Sequence, residues 1–255
     1  MASVRGSEYP NVTITALTIR QFSRSRSLLV VAVICLIPLL FAILPRVLPD
    51  YTLRDLRWLL AQNIYLNLFS ATLLPLATLV LSTAALGDEI EDKTLHYLAM
   101  KPLSRARIVI EKWLAVIAIT TAVVWSSLLV IWAVMSWGYY GEMRDILSPM
   151  LVSSLVGILG FGSLFMALSL VMNRALLFGV FYVFIWETTL SRFLPGIRSI
   201  SISHYTRSTF VRMLDDRRIG IDGPSASQTI FIAIAIVVIA SLVLATWRLR
   251  TMAID

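Results

Sequence analysis

The sequence predicts an all-α membrane protein with six transmembrane helices, and three observations lead to that prediction. Hydrophobic residues make up 58% of the 255 residues and charged residues only 15%, a balance well outside that of soluble domains. Five stretches without a charged side chain are long enough to cross a bilayer core of about 30 Å. The Lys and Arg residues lie between these stretches, where anionic lipid headgroups rather than nucleic acid would contact them. We therefore expect one transmembrane domain over residues 1–255, in contact with membrane lipids.

The N-terminal region is predicted to form a helix on the membrane surface, followed by the first span. Over residues 11–26 apolar side chains fall on one helical face while Arg20 and Arg24 fall on another, which is typical of an interfacial amphipathic helix. A disordered basic tail is the alternative. Residues 27–48 form the first span, which lacks a small-x-small cleavage site and is expected to be retained. The single cysteine, Cys35, lies inside it, so we expect neither a disulfide framework nor a metal cluster.

Apolar spans and polar connections alternate along the rest of the chain. Thr52 and Asp55 have the spacing of a capping box at the start of the second helix. Gly157, Gly160 and Gly162 favour close packing of the fourth span, because small residues let neighbouring helices approach. We predict a second span at 60–86, a cytosolic coupling loop at 88–112, a third span at 113–138 and a fourth span at 147–173. A fifth span at 175–195, an outer loop at 196–222 and a sixth span at 224–247 follow. The outer loop is expected to contain short helices, including one at about 205–214.

Charge distribution and apolar length disagree about the fifth span. With six spans and both termini inside, 12 Lys and Arg residues are cytosolic and 10 are outside, whereas five spans give 16 and 6. Residues 176–185 favour insertion by about 3 to 4 kcal/mol in total. Glu187 opposes insertion by about 2.5 to 3.5 kcal/mol at the membrane centre and by less near an end. We therefore predict six spans with cytoplasmic N- and C-termini, although the charge rule alone favours five.

The segment 88–112 is the most informative polar region, and it is cytosolic in both layouts. Acidic residues crowd its start, where a helix N-terminus stabilises them, and apolar side chains follow at helical spacing. Pro102 is expected to end this helix after Lys101, and Ser104 can cap the next one. The result would be a helix, a turn and a helix on the cytosolic face, suited to docking a soluble partner. A solvated connector is the alternative.

At this point the residues resemble the ABC-2 type transporter permeases. In that family the loop after the second span commonly runs Glu-x-Glu-x-Gly-Thr-Leu, then Leu, then Pro-Val-Ser-Arg and a Lys. Lys93 stands here at the usual glycine and Leu103 at the usual valine. The six-span plan, the interfacial helix and the structured outer loop are also similar to the family. The residues that match the pattern are Glu89, Glu91, Thr94, Leu95, Leu98, Pro102, Ser104, Arg105 and Lys112.

The resemblance implies a permease subunit of an ABC exporter, in which the matching residues form a coupling helix that docks on a separate ATP-binding subunit. No Gly-x-x-x-x-Gly-Lys-Ser/Thr run occurs in the sequence, so ATP and Mg are expected in that partner and no cofactor or enzymatic activity in this chain. A second permease copy would complete a dimer, because six helices are half of the usual twelve. The expected location is a bacterial or archaeal inner membrane, and the cargo a hydrophobic or amphipathic molecule.

Glu187 is the other candidate residue, because a carboxylate inside a membrane span is a functional candidate by default. It is predicted to face a substrate path or an outer gate, or else to be an interfacial carboxylate with a local partner such as Arg192. Two other classes of protein are alternatives. An integral-membrane lipid-modifying enzyme needs acid, base or metal ligands at one face, but the carboxylates are scattered and His96 and His204 fall on opposite predicted sides. An ion-coupled secondary transporter is usually marked by charges within its spans or by duplicated halves, but only Glu187 meets the first criterion and no repeat is evident.

Overall fold

The computed structural model describes residues 25–47, 51–91, 105–172, 174–190 and 200–251, and its regular secondary structure in these ranges is entirely helical, with no strand in any of them. Most of the predicted interfacial helix at 11–26 lies outside the described residues. Seven helices occur in the described ranges: α1 Arg26–Val47, α2 53–91, α3 Arg105–Met135, α4 Tyr140–Val171, α5 175–190, α6 Ile202–Leu214 and α7 Ser227–Thr251.

Two of the helices contain π-helical turns. Helix α2 is α-helical over Leu53–Trp58, π-helical over Leu59–Leu73 and α-helical again over Leu74–Glu91. Helix α5 is α-helical over Ala175–Phe181 and π-helical over Tyr182–Leu190. These two π-helical segments contact each other in the bundle. Such turns are uncommon and are frequently found at functional sites.

Among the described residues, five helices are long and apolar enough to cross a membrane: α1, α2, α3, α4 and α7. The fifth predicted span corresponds to α5, a shorter apolar helix whose 7 and 9 residues reach at most about 24 Å. The rest of that predicted span falls at 191–195, outside the described residues. The described part of the chain is therefore all-helical with five membrane-length helices, and the sixth span stays a prediction.

Helix α2 begins earlier than the predicted span because a capping box starts it. The backbone N–H of Asp55 donates to Thr52 Oγ1 at 3.3 Å, and the backbone N–H of Thr52 donates to Asp55 Oδ2 at 3.1 Å. Both donors belong to a helix start, which has no intrahelical acceptor for them. The predicted capping box is confirmed, and it places the first turn of α2 at Leu53.

Helix α4 lies at the centre of the bundle and packs against α2, α3, α6 and α7. A Cβ at Gly157 would lie 2.6 Å from Leu74 Cδ2 and 2.9 Å from Thr206 Oγ1. A Cβ at Gly160 would lie 2.7 Å from Ile202 Cγ2. Carbon atoms do not approach so closely, so only glycine permits these helix contacts. The packing role predicted for the glycines of the fourth span is confirmed.

Helix α6 runs from the middle of the bundle to its end. Its first residue, Ile202, packs against the centre of α4, and the predicted short helix is confirmed with an earlier start at the N-cap Ser201. Its last residue is followed by Asp215 in the left-handed conformation at φ 48°. The loop beyond it docks on α2, where Gln62 Nε2 donates to the Gly220 carbonyl at 3.2 Å and the Gly220 N–H donates to Gln62 Oε1 at 3.1 Å. The predicted outer segment is thus fastened to the bundle rather than forming a separate domain.

Gly157→Ala is expected to destabilise the protein by about 1 to 3 kcal/mol, because the new methyl group overpacks the contact between α4 and α6. Thr206 is β-branched and held in a helix, so its side chain has little freedom to move away. The midpoint of thermal unfolding in detergent measures the effect. Gly141→Ala in the same helix is the matched control, since nothing lies within 4 Å of its Cβ. An equal loss in both variants would contradict the packing argument.

Candidate functional site

The predicted coupling segment is described only at its two ends. Glu89 and Glu91 lie in the last turns of α2, whose backbone is helical to Glu91. Five of the matching residues lie outside the described residues: Thr94, Leu95, Leu98, Pro102 and Ser104. Arg105 and Lys112 lie at the start of α3 and are fully described.

Lys112 ties the start of α3 to the end of α2. Its side chain is buried, with a relative exposure of 1%, and its Nζ donates to the Ala85 carbonyl at 3.1 Å. An ammonium group is strongly disfavoured in an apolar interior unless it donates hydrogen bonds, so this contact fixes the spacing of the two helices. The next residue, Trp113, donates from Nε1 to Ser163 Oγ at 2.9 Å and so joins α3 to α4.

Arg105 ties the first turn of α3 to the last turn of α7. One of its guanidinium nitrogens donates to the Leu249 carbonyl at 2.6 Å and to the Arg250 carbonyl at 2.9 Å. Carbonyls at a helix C-terminus lack intrahelical donors and carry partial negative charge, which makes them good acceptors for a cation. Arg105 and Lys112 therefore join the start of α3 to two other helices, α7 and α2.

Together these contacts form the base of α3, which we define as residues 105–113. It lies at the same end of the bundle as both ends of the coupling segment, since α2 enters that segment and α3 leaves it. Through Lys112, Trp113 and Arg105 it holds α2, α4 and α7. A displacement of the coupling segment would consequently move α2, α4 and α7 together with α3.

A second polar site surrounds Glu187 in α5. The side chain is 3% exposed, and four donors from the described residues contact its carboxylate. Tyr182 Oη donates at 2.8 Å, Ser201 Oγ at 2.5 Å, and the backbone N–H groups of Ile202 and Ser203 at 3.1 and 3.2 Å. The last three donors belong to the N-terminus of α6, where a negative charge is stabilised by the aligned peptide dipoles.

The arrangement makes Glu187 a clasp between α5 and α6. Tyr182 also packs edge-on against Phe165 of α4, with ring centroids 6.0 Å apart, so the clasp is held against the central helix. Arg192 was predicted as a local partner of Glu187, but it lies outside the described residues. Sequence reasoning missed Tyr182, which lies five residues before Glu187 and meets it across a π-helical turn. Ser201 carried a signal, because a serine before a helical run is a common N-cap.

An ion pair at the opposite end of the bundle from the base of α3 was also missed. Arg57 of α2 donates from two guanidinium nitrogens to the Asp145 carboxylate of α4, at 2.8 and 2.6 Å. A third contact joins Arg57 to the Glu142 carbonyl. Such a bidentate pair has a fixed geometry and is stronger than a single contact between flexible side chains. No sequence pattern relates Arg57 to Asp145, because 88 residues separate them.

A family model described as ABC-2 family transporter protein matches residues 12–253, which include all seven helices and the whole coupling segment. No curated protein matches the chain.

Proposed function

The chain belongs to the ABC-2 family of transporter proteins, and from that premise we propose that it is the permease subunit of an ATP-driven exporter. Its long apolar helices fit a multi-pass membrane protein. Family membership implies a partnership with an ATP-binding cassette subunit. We propose that ATP and Mg bind in that partner, since the sequence has no phosphate-loop motif of its own.

The observation that carries the proposal is the base of α3, where the ends of the coupling segment meet the rest of the bundle. The ATP-binding subunit docks on residues 88–112, with Glu89 and Glu91 at the entry and Arg105 and Lys112 at the exit. Movement of that subunit then shifts the start of α3. Because Lys112 binds the end of α2 and Arg105 binds the end of α7, these helices move with it.

The end of the bundle opposite the coupling segment is proposed to respond to this movement through Glu187. Its carboxylate fixes the start of α6 to α5, so a tilt of α5 moves α6 and the loop that α6 carries. Release or rotation of this clasp would open an outer gate for a hydrophobic or amphipathic substrate. The proposal places both termini in the cytoplasm of a bacterial or archaeal cell and pairs the chain with a second permease copy in the inner membrane.

Reversing the charge of both acidic residues, Glu89→Lys with Glu91→Lys, is expected to weaken docking of the ATP-binding subunit at least about tenfold, or ~1.4 kcal/mol. Like charges placed at an interface repel, and the acidic start of the segment is its most charged part. Co-purification with the ATP-binding subunit, expected in the neighbouring reading frame, measures docking. Glu142→Lys, an exposed acidic residue at the start of α4, is the control. Undiminished co-purification of the double variant would refute the proposed docking site.

A further inference from the structure

A cleft of about 470 Å³ opens at the end of the bundle opposite the coupling segment. It lies between the first turns of α2 and the loop after α6, and two apolar side chains form part of its wall. The residues whose side chains decide its chemistry are Arg54, Asp55, Arg57, Trp58, Asp216 and Arg218. The cleft shares no lining residue with the base of α3 or the Glu187 clasp, so it is a separate site.

The cleft contains three cations and two carboxylates, and one of the cations already has a partner outside the cleft. Arg57 is held by the Asp145 carboxylate through two hydrogen bonds. The guanidinium groups of Arg54 and Arg218 form no ion pair among the residues that the structure describes. Two cations and two carboxylates thus remain to meet a ligand.

Both carboxylates retain the capacity to accept further hydrogen bonds. Asp55 accepts from Thr52 through its Oδ2, and Asp216 accepts from the backbone N–H of Arg218 at 3.1 Å through its Oδ1. A carboxylate has about four acceptor positions, so neither group is saturated by these bonds. A ligand that carries one negative and one positive group would satisfy the cleft better than a simple anion, which the carboxylates would repel.

The position of the cleft, at the start of a membrane-length helix, favours an amphipathic ligand. Trp58 is 47% exposed and lies at the start of a membrane-length helix, where tryptophan is enriched at the boundary between hydrocarbon and water. Ile219 is buried at the wall of the cleft. A molecule with a charged head at the cleft and acyl chains along the adjacent helix surface would match both features.

We propose that this cleft binds a phospholipid whose headgroup carries both a phosphate and a primary ammonium. The phosphate accepts hydrogen bonds from Arg54 and Arg218, and guanidinium groups match phosphate geometry well. The ammonium donates to the carboxylates of Asp55 and Asp216. This goes beyond the transport function, because a lipid held there would anchor the start of α2 to one leaflet whatever the cargo is.

Binding of phosphatidylethanolamine to the purified chain in detergent micelles, measured by native mass spectrometry, tests the proposal. Arg218→Gln is expected to lower its affinity about tenfold, while Arg217→Gln, the exposed neighbour outside the cleft, leaves it unchanged. Asp216→Asn is expected to reduce binding of phosphatidylethanolamine but not binding of phosphatidylglycerol, which lacks the ammonium and is no longer repelled by the carboxylate. These exposed or partly exposed positions tolerate substitution, and unchanged thermal unfolding confirms that each variant is folded.

Three outcomes would overturn the proposal. An equal loss of affinity in Arg217→Gln and Arg218→Gln would show general surface charge rather than a site. Equal affinity for phosphatidylethanolamine and phosphatidylglycerol in the native chain would show that the ammonium is not recognised. Full competition by soluble phosphoethanolamine at the same concentration as the lipid would show that the cleft takes a water-soluble ligand instead.

Discussion

Replacing Glu187 with alanine is expected to lower the free energy of unfolding by roughly 3 to 5 kcal/mol and to abolish transport. The change removes the acceptor of Tyr182, of Ser201 and of two backbone N–H groups at the start of α6. Water is scarce at a buried position, so donors that lose their acceptor there are left unsatisfied. The midpoint of thermal unfolding in detergent and ATP-driven transport in proteoliposomes measure the two effects.

Glu187→Gln tests whether the hydrogen bonds of the carboxylate, and not only the burial of a side chain of this size, hold α5 to α6. Its amide oxygen replaces one acceptor, while its NH₂ group faces donors on the other side, so an intermediate loss of stability is expected. Glu142→Ala is the control, because that carboxylate is exposed at the start of α4. If Glu187→Ala unfolded at the same temperature as Glu142→Ala, the carboxylate would not hold α5 to α6.

Lys112→Met is expected to reduce ATP-driven transport about tenfold, or ~1.4 kcal/mol, while the complex still hydrolyses ATP. Methionine keeps an unbranched, flexible side chain in the buried site but cannot donate to the Ala85 carbonyl, so α3 loses its polar link to α2. Movement of the coupling segment would then reach α2 less effectively. The measurement compares ATP hydrolysis with efflux of an amphipathic dye that the native complex transports.

Arg107→Met is the matched control for Lys112. Arg107 is also at the base of α3, but its side chain is 60% exposed and its ion pair with Glu111 lies on the surface of the same helix. Such exposed pairs contribute little, so we expect transport close to that of the native complex. A similar fall in both variants would assign the effect to positive charge near the partner rather than to the link between α2 and α3.

Short-range features of the fold were predictable from the sequence. The apolar runs of α1, α2, α3, α4 and α7, the capping box before α2 and the short helix α6 all depend on residues close together in the chain. The close packing at Gly157 and Gly160 was predictable too, although not the helices that approach them. These signals are local because hydrogen bonds and side-chain periodicity within a helix involve neighbours three to five residues away.

The coupling motif also came from the sequence, and the family match covers it. The motif does not show which residues connect that segment to the other helices. Arg105 binds carbonyls 144 and 145 residues further along the chain, and Lys112 binds one 27 residues earlier. No periodicity relates such positions, since their proximity depends on how whole helices pack.

Glu187 shows most clearly which features were predictable from the sequence and which depended on the tertiary structure. Its residue type and its place in an apolar run marked it as a candidate, because an intramembrane carboxylate requires compensation. The compensating groups were decided by tertiary structure: a π-helical turn brings Tyr182 to it, and the packing of α6 against α4 brings the N-terminus of α6 to it. The sequence by itself determined which segments are helical and apolar and which charge is out of place among them. Only the packing of those helices decided which donors outside α5 satisfy that charge, because Ser201, Ile202 and Ser203 belong to the N-terminus of α6.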